Sequence, residues 1–164
     1  QYGLEKFCRD AQAVGIDGVI LPDLPLREYE MMYASLFEEC NLSHVFLVTP
    51  QTSEERIRKI DELTKGFIYM VSSDSTTGKT NQLSETQLAY LKRIVDMSLK
   101  NPRLIGFGIS DHQSFSQACT YSQGAIIGSA FIKAIEGKSG EELKTSISRF
   151  VASILNAHSI PANS

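Results

Sequence analysis

Five short apolar runs, separated by segments of helical periodicity, constrain the fold of this 164-residue chain more than any other feature. Each run is continuous rather than alternating, which is typical of strands that are buried on both faces. Such strands occur in parallel sheets covered by helices, so the sequence predicts an α/β fold. The runs lie at residues 18–23, 44–50, 67–72, 104–109 and 124–128.

The segments between the runs are predicted to be helices. Two of them cover residues 4–14 and 26–40, and a short helical turn covers residues 129–135. Capping-box patterns, in which Ser or Thr precedes Glu or Gln by three residues, predict further helix starts at Thr52, Ser84, Ser110 and Ser139. The polar stretch 73–83 is predicted to be a loop, and a loop of this length in an α/β unit often serves as a lid.

Two architectures fit this alternation of strands and helices. A flavodoxin-like, doubly wound sheet has five strands and suits the length. A TIM (β/α)8 barrel needs roughly 250 residues, so this chain would be only part of one. Since the sequence contains no linker and no low-complexity stretch, residues 1–164 are predicted to form a single domain.

Composition excludes several classes of function. The formal net charge of −3 argues against a nucleic-acid-binding protein, which normally carries a basic patch. No apolar stretch approaches the ~18 residues that a membrane span needs. The cysteines Cys8, Cys40 and Cys119 are far apart and odd in number, which fits neither a disulfide framework nor a metal site. A cytoplasmic protein is the simplest expectation.

The strongest candidate for ligand binding is a pair of glycine-containing loops after the last two strands. Residues 106–110 read Gly-Phe-Gly-Ile-Ser, and residues 128–130 read Gly-Ser-Ala at the start of a short helix. Glycine lets a ligand approach the backbone, and a helix start offers free N–H groups to an anion. The two loops therefore suggest a phosphate cradle, although tight strand-to-helix turns alone also call for glycine.

Side chains that could act as acids or bases are few. Asp23 ends the first predicted strand, where it could be functional or could bond to the backbone of its own turn. Tyr69 lies late in a strand and could reach a ligand. His44 and His112 have no Cys or Asp partner at the spacing of a catalytic nucleophile, so both are expected to be structural or solvated.

Six ordered segments resemble the tryptophan synthase alpha subunit. They are GIDGVILPDLP at 15–25, TPQTSEER at 49–56, FIYMVS at 67–72, TTG at 76–78, GFGIS at 106–110 and GAIIGSA at 124–130. The similarity is collinear, covers essentially the whole chain and corresponds to the later part of the family's sequence. It favours the barrel, with strands four to eight present and the N-terminal strands absent from this chain.

The resemblance implies an activity and a partner. That family is a lyase of tryptophan biosynthesis, which cleaves indole-3-glycerol phosphate to indole and glyceraldehyde 3-phosphate by a retro-aldol route. Indole passes to a beta subunit that carries pyridoxal phosphate, within an alpha2beta2 complex. The resemblance implies no cofactor in the present subunit.

Site residues follow from the resemblance position by position. Gly78, Gly108, Gly128 and Ser129 match the positions that bind the substrate's phosphate. All four belong to loops that follow predicted strands.

Five further positions complete the expected set. Tyr69 matches a tyrosine that lines the substrate pocket, and Phe107 matches a phenylalanine beside the indole. Thr77 matches the lid threonine that meets the catalytic Asp. Asp23 and Pro25 match a segment that contacts the beta subunit, which favours an interface role for Asp23.

The chain departs from the family pattern in two ways. The lid reads Ser-Asp-Ser-Thr-Thr-Gly at 73–78, where the family commonly has Arg or Glu followed by Gly-Val-Thr-Gly. The catalytic Glu and Asp of the family lie upstream of Gln1, so no catalytic residue is expected in this chain. Since a general acid or base contributes roughly 10²–10⁴-fold, the chain alone is expected to be nearly inactive.

Two other functions stay open on the sequence. One is a non-catalytic phosphate-binding or regulatory module. The other is a different phosphate-binding barrel enzyme, such as an indole-glycerol-phosphate synthase or a relative of thiamine-phosphate synthase.

Overall fold

Parallel strands alternate with helices in the computed structural model, which describes residues 2–71, 83–106 and 108–155. The described strands are β1 (Gly18–Ile20), β2 (Ser43–Val45), β3 (Leu47–Val48), β4 (Ile68–Val71), β5 (Arg103–Gly106) and β6 (Gly124–Ile126). The described α-helices are α1 (Leu4–Ala13), α2 (Leu26–Glu28), α3 (Ala34–Glu39), α4 (Glu54–Leu63), α5 (Glu85–Asp96), α6 (His112–Cys119), α7 (Ser129–Ile135) and α8 (Gly140–Leu155).

Strand order follows chain order. β1 pairs with β2, and the second sheet runs β3-β4-β5-β6, with every pair parallel. A flavodoxin-like sheet reverses its strand order at a switch point, whereas a barrel adds each strand beside the previous one. The observed order therefore has the topology of an arc of a (β/α) barrel, and the doubly wound alternative does not fit.

The run predicted as one strand at 44–50 is divided at Phe46. β2 pairs only with β1, and β3 pairs only with β4. The chain stays continuous with the second sheet at this point, because the N–H of Tyr69 donates to the carbonyl of Phe46 over 2.9 Å.

Burial along the strands shows which face carries the core. In β4, Ile68 and Met70 are fully buried, while Tyr69 and Val71 are only half-buried. Since successive side chains point to opposite faces, Ile68 and Met70 lie on the buried face and Tyr69 on the more open one. The main core includes residues of the second sheet and of the helices, among them Met70, Ile57 and Ile94.

Helices α4, α5 and α6 begin close to the predicted capping residues, and in α4 and α6 the cap is one residue later than predicted. The box at Ser84 and Gln87 forms as predicted. α4 is capped by Ser53, one residue after the predicted Thr52, because the Thr52 hydroxyl instead accepts from the N–H of Thr49. In α6 the capping box is formed by Asp111 and Ser114, and Ser110 is not the cap.

The predicted helix 26–40 is not one regular helix. A π-helical turn at Tyr29–Tyr33 separates α2 from α3. π-Turns inside helices are rare and change the direction of the side chains that follow them. Within the described residues, no helix has both the length and the apolar character required to cross a membrane.

Candidate functional site

The two glycine-containing loops lie side by side at one edge of the second sheet. Gly106, the last residue of β5, is in register with Ile126, the last residue of β6. Gly108 and Gly128 each follow these paired residues at the same offset. Because parallel strands end at the same edge, both loops leave the sheet in the same direction. The structure therefore brings together the two segments that suggested a phosphate cradle.

The backbone at both glycines is open to a ligand. Gly108 and Gly128 are exposed, and a Cβ added to either would have no described heavy atom within 4 Å. Gly108 also has a φ of +64°, a conformation that other residues adopt only with strain. These positions leave room in front of the main chain rather than filling a packed turn.

Ser129 starts α7 directly after the second loop. The N–H of Ile132 donates to the carbonyl of Gly128 over 3.0 Å, so Gly128 is the N-cap residue of this helix. The N–H groups of the first turn have no acceptor within the helix. α7 is positioned by α8, where the rings of Phe131 and Phe150 meet edge to face at 5.6 Å between centroids.

Tyr69 extends toward this same edge of the sheet. Its Cα is in register with Leu104, yet its ring lies against Gly106, which is further along β5 toward the glycine loops. A Cβ on Gly106 would lie 2.5 Å from Cζ of Tyr69, so only glycine leaves space for the ring. Gly106 is thus a site-forming residue that sequence reasoning missed, since its glycine was attributed to the phosphate cradle.

Three predicted site residues, Thr77, Gly78 and Phe107, lie outside the described residues. The predicted lid at 73–78 lies outside them as well. Among the described residues, the candidate site therefore consists of Tyr69 and the loops at Gly108 and Gly128.

Asp23 and Pro25 occupy the loop after β1, which belongs to the other sheet. Both side chains are exposed. The turn is closed by the N–H of Leu24, which donates to the carbonyl of Leu21 over 3.2 Å. In the described part of the chain the Asp23 carboxylate makes no hydrogen bond or ion pair, so the expected alternative of a bond to its own turn is not seen. An exposed, unpaired carboxylate is available to a partner.

The two described histidines have structural positions. His112 Nδ1 lies 2.9 Å from the carbonyl of Ile154, which ties α6 to the end of α8. His44 is almost fully buried among aromatic rings. Across residues 2–71, 83–106 and 108–155, no group of three or more His, Cys, Asp or Glu side chains could hold a metal ion.

Comparison with known proteins gives one consistent family. The model of the family described as Tryptophan synthase alpha chain matches residues 1–159. The tryptophan synthase alpha chain of Christiangramia forsetii is 56% identical over 135 residues, which cover 82% of this chain and 53% of that protein. The corresponding protein of Flavobacterium psychrophilum is 53% identical over 154 residues, which cover 94% of this chain and 59% of that protein.

Solved structures agree with this result. A chain from the tryptophan synthase α2β2 complex of Pyrococcus furiosus superposes with a TM-score of 0.78 at 32% identity, covering 94% of this chain and 61% of that one. A mutant alpha subunit from the same organism gives 0.77 at 31% identity, with the same coverage. These neighbours are TIM barrels, so the fold is the α/β barrel architecture expected from the resemblance. The chain spans between half and two thirds of the length of these relatives.

The sequence match along nearly the whole chain and the barrel-type strand order lead to one conclusion: the chain belongs to the tryptophan synthase alpha chain family.

Proposed function

We propose that this chain supplies the phosphate- and indole-binding half of a tryptophan synthase alpha-type lyase. The reaction is the retro-aldol cleavage of indole-3-glycerol phosphate to indole and glyceraldehyde 3-phosphate. The observation that carries the proposal is the convergence of Tyr69 and the loops of Gly108 and Gly128 at one edge of the sheet, in a member of this family.

The open glycine loops support a role in holding the phosphate. N–H groups beside Gly108 and Gly128 can donate to phosphate oxygens, because neither glycine has a Cβ and no described atom lies where one would be. Ser129 follows Gly128 directly and would add its own N–H at the start of α7. Gly78 would add a contact from the preceding strand's loop. Phosphate binding would fix one end of the substrate and leave the indole end to extend across the open face of the sheet.

Tyr69 supports a role in the indole pocket. Its ring is half-buried and rests on Gly106, so it offers an aromatic wall next to the phosphate site. Phe107 follows Gly106 directly and would supply a second aromatic surface, while Thr77 would act in the lid. Aromatic side chains suit a planar heteroaromatic ligand because they bury large area at low cost in conformational entropy.

The catalytic carboxylates would come from outside these 164 residues. In this proposal the family's catalytic Glu and Asp supply the general acid and base. The chain itself would position the substrate and would need no cofactor, since pyridoxal phosphate belongs to the beta subunit. Substrate binding without turnover is therefore expected of the chain alone.

Calorimetry and an indole-release assay with indole-3-glycerol phosphate test this directly. We expect binding by the 164-residue chain, no measurable indole release, and release after mixing with the part of the Flavobacterium psychrophilum relative that this chain does not cover. Binding with no release in the mixture would favour a non-catalytic phosphate-binding module. Absence of any binding would reject the site.

Variants at Gly128 test the phosphate loop. Gly128→Val would place a branched side chain in the space where the phosphate is proposed to lie, and we expect at least about a tenfold loss of affinity for glycerol phosphate. Gly66→Ala is the matched control, because its Cβ would meet the Cβ of Ser43 at an ordinary 3.7 Å far from the loops. Equal affinity of the two variants would contradict the proposed site.

A beta subunit is the proposed partner. A solved α2β2 complex among the structural neighbours and the exposed Asp23 and Pro25 support this proposal. Addition of the beta subunit is expected to raise indole formation by the reconstituted alpha protein. No change in rate would argue against a partnered enzyme.

A further inference from the structure

His44 is a buried ionisable side chain that the proposed reaction does not use. Its ring is only 3% exposed. It stacks on Tyr29 with centroids 4.9 Å apart and meets Phe46 edge to face at 4.3 Å. Phe37 closes a third side at 5.7 Å. The imidazole therefore lies almost fully buried in an aromatic cluster.

The polar atoms of this ring are unsatisfied. Within the described residues, neither Nδ1 nor Nε2 of His44 makes a hydrogen bond of normal geometry. Buried polar side chains are almost always hydrogen-bonded, so an unsatisfied imidazole is unusual and stores free energy. A neutral ring tolerates this state at modest cost, whereas a charged ring would not.

A small cavity separates His44 from the surface. Its volume is about 50 Å³, and it opens partly to solvent. The segment 21–26 forms one wall, and Arg56 and Ile60 of α4 form another. In this segment the side chains of Pro22, Asp23 and Pro25 are exposed. The segment packs on the protein through its three partly buried leucines, Leu21, Leu24 and Leu26. The segment 21–26 therefore stands between the buried ring and water.

The charged and titratable groups around the ring do not favour a positive charge there. Arg56 is the only charged residue among those that line the cavity, and its charge has the same sign as an imidazolium. Tyr29 stays neutral at ordinary pH because burial, with a smaller contribution from Glu38, raises the pKa of its hydroxyl. β1 contributes Val19 beside His44, and α3 contributes Phe37; both are apolar.

We propose that His44 is a pH-sensitive latch for the segment 21–26. The neutral ring packs in the aromatic cluster and keeps the segment closed over it. Among the described residues a protonated ring has only a weak contact with the Leu21 backbone, and it shares the cavity with Arg56, so it is fully hydrated only when the segment lifts. The latch is independent of the proposed reaction, and it acts on the segment that carries Asp23 and Pro25.

The direction of the pH effect follows from the burial of the ring. Burial lowers the pKa of His44 below its ordinary value of 6.5, and the backbone of Leu21 offsets only part of that decrease. A group whose pKa is lower in the closed state stabilises that state fully above its ordinary pKa. This contribution is lost as the pH falls from 6.5 toward the lowered value. Opening is therefore expected in mildly acidic solution.

Amide hydrogen exchange tests the latch without substrate or partner. The reporter is the N–H of Leu24, which is protected by its bond to Leu21. After correction for intrinsic rates, we expect its protection to fall by about tenfold or more between about pH 7.5 and about pH 5, while amides in α8 stay protected. His44→Phe, which keeps an aromatic ring, should remove the pH dependence.

His112→Gln is the matched control, because His112 is tied to Ile154 away from the segment and its loss should leave the pH effect intact. The latch is overturned if Leu24 protection is independent of pH in the unmodified chain. It is also overturned if His44→Phe shows the same dependence, or if α8 loses protection in parallel. Should His44→Phe fail to fold, an NMR titration of the ring decides, and a pKa at or above the ordinary 6.5 would reject the proposal.

Discussion

The ring of Tyr69 lies across Gly106, although the two residues are offset along neighbouring strands. Tyr69 is in register with Leu104, and Gly106 is in register with Val71. The ring therefore leans along the sheet toward the edge where Gly108 and Gly128 lie. Glycine at position 106 makes this possible, because a Cβ there would overlap the ring. Tyr69 and the loop at Gly108 are thus linked through one glycine.

Gly106→Ala is expected to destabilise the fold and to displace Tyr69. The new Cβ would lie 2.5 Å from Cζ of Tyr69, and overpacking of this kind costs about 1–3 kcal/mol. Tyr69→Ala in the same chain should relieve the overlap, so the double variant should be more stable than the sum of the single effects predicts. Urea unfolding of all four proteins measures the coupling.

The control for this cycle is Gly66→Ala, whose Cβ would meet only ordinary contacts. Combined with Tyr69→Ala it should give additive changes in the free energy of unfolding. Additivity in the Gly106 cycle as well would show that the ring does not depend on the glycine.

Tyr90→Phe is expected to lower stability without touching the site. The hydroxyl of Tyr90 is buried and donates to the carbonyl of Val48 over 3.0 Å, which ties α5 to β3. Burial raises the pKa of this hydroxyl, so it stays protonated and able to donate throughout the ordinary range. Loss of one buried hydrogen bond costs about 0.5–1.5 kcal/mol.

Thermal unfolding compares Tyr90→Phe with Tyr121→Phe. The Tyr121 side chain is only half-buried, and its hydroxyl makes no hydrogen bond in the described part of the chain. We expect a clear decrease in Tm for the first variant and little change for the second. Equal changes in Tm for the two variants would mean that the hydrogen bond from Tyr90 to Val48 contributes nothing to stability.

Much of the fold could be predicted from local patterns. Apolar runs locate β1, β4, β5 and β6 within a few residues, because strands buried between helices need no polar face. The box at Ser84 marks the start of α5 correctly, since Ser and Gln side chains there satisfy both end N–H groups. These features depend on residues close together in the chain.

Features that depend on distant contacts could not be predicted. The division of strands at Phe46 and the π-turn at Tyr29–Tyr33 have no local signal in the sequence, and Tyr29 and Phe46 meet in the aromatic cluster around His44. The role of Gly106 depends on a ring from the neighbouring strand. At the candidate site, the sequence therefore indicated the loops and their glycines, but not the contact between Tyr69 and Gly106.

Asp61→Ala is expected to destabilise the turn that leads into β5. The Asp61 carboxylate accepts from the N–H groups of Lys100 and Asn101, both at 2.9 Å, and from the Asn101 amide at 2.8 Å. Loss of hydrogen bonds to a charged group costs about 1.5–3 kcal/mol. Asp96→Ala, at an exposed position on α5, is the control and should change stability little. Chemical denaturation measures both.

The pKa of the Asp61 carboxylate also predicts that the stability of the fold depends on pH. Burial by itself would raise the pKa of Asp61, but the hydrogen bonds from Lys100 and Asn101 outweigh it and lower the pKa below 3.8. The stability that it contributes is therefore complete above that ordinary value and is lost as the pH falls further. We expect the stability difference between the unmodified chain and Asp61→Ala to shrink below pH 3.8. A constant difference across that range would contradict the assignment.

Asp23→Lys is expected to weaken the proposed association with a beta subunit while leaving the fold intact. The Asp23 side chain is exposed and makes no hydrogen bond or ion pair with described residues, so its replacement should change stability by no more than about 0.5 kcal/mol. At an interface, reversal of a charge introduces repulsion and leaves the oppositely charged group of the partner unpaired. We expect this to weaken binding by about tenfold or more. Calorimetry with a tryptophan synthase beta subunit measures the affinity.

Asp17→Lys controls for the change in net charge, because Asp17 is also exposed and lies in the loop before β1. Parallel losses for Asp23→Lys and Asp17→Lys would assign the effect to overall charge and reject a specific contact at Asp23.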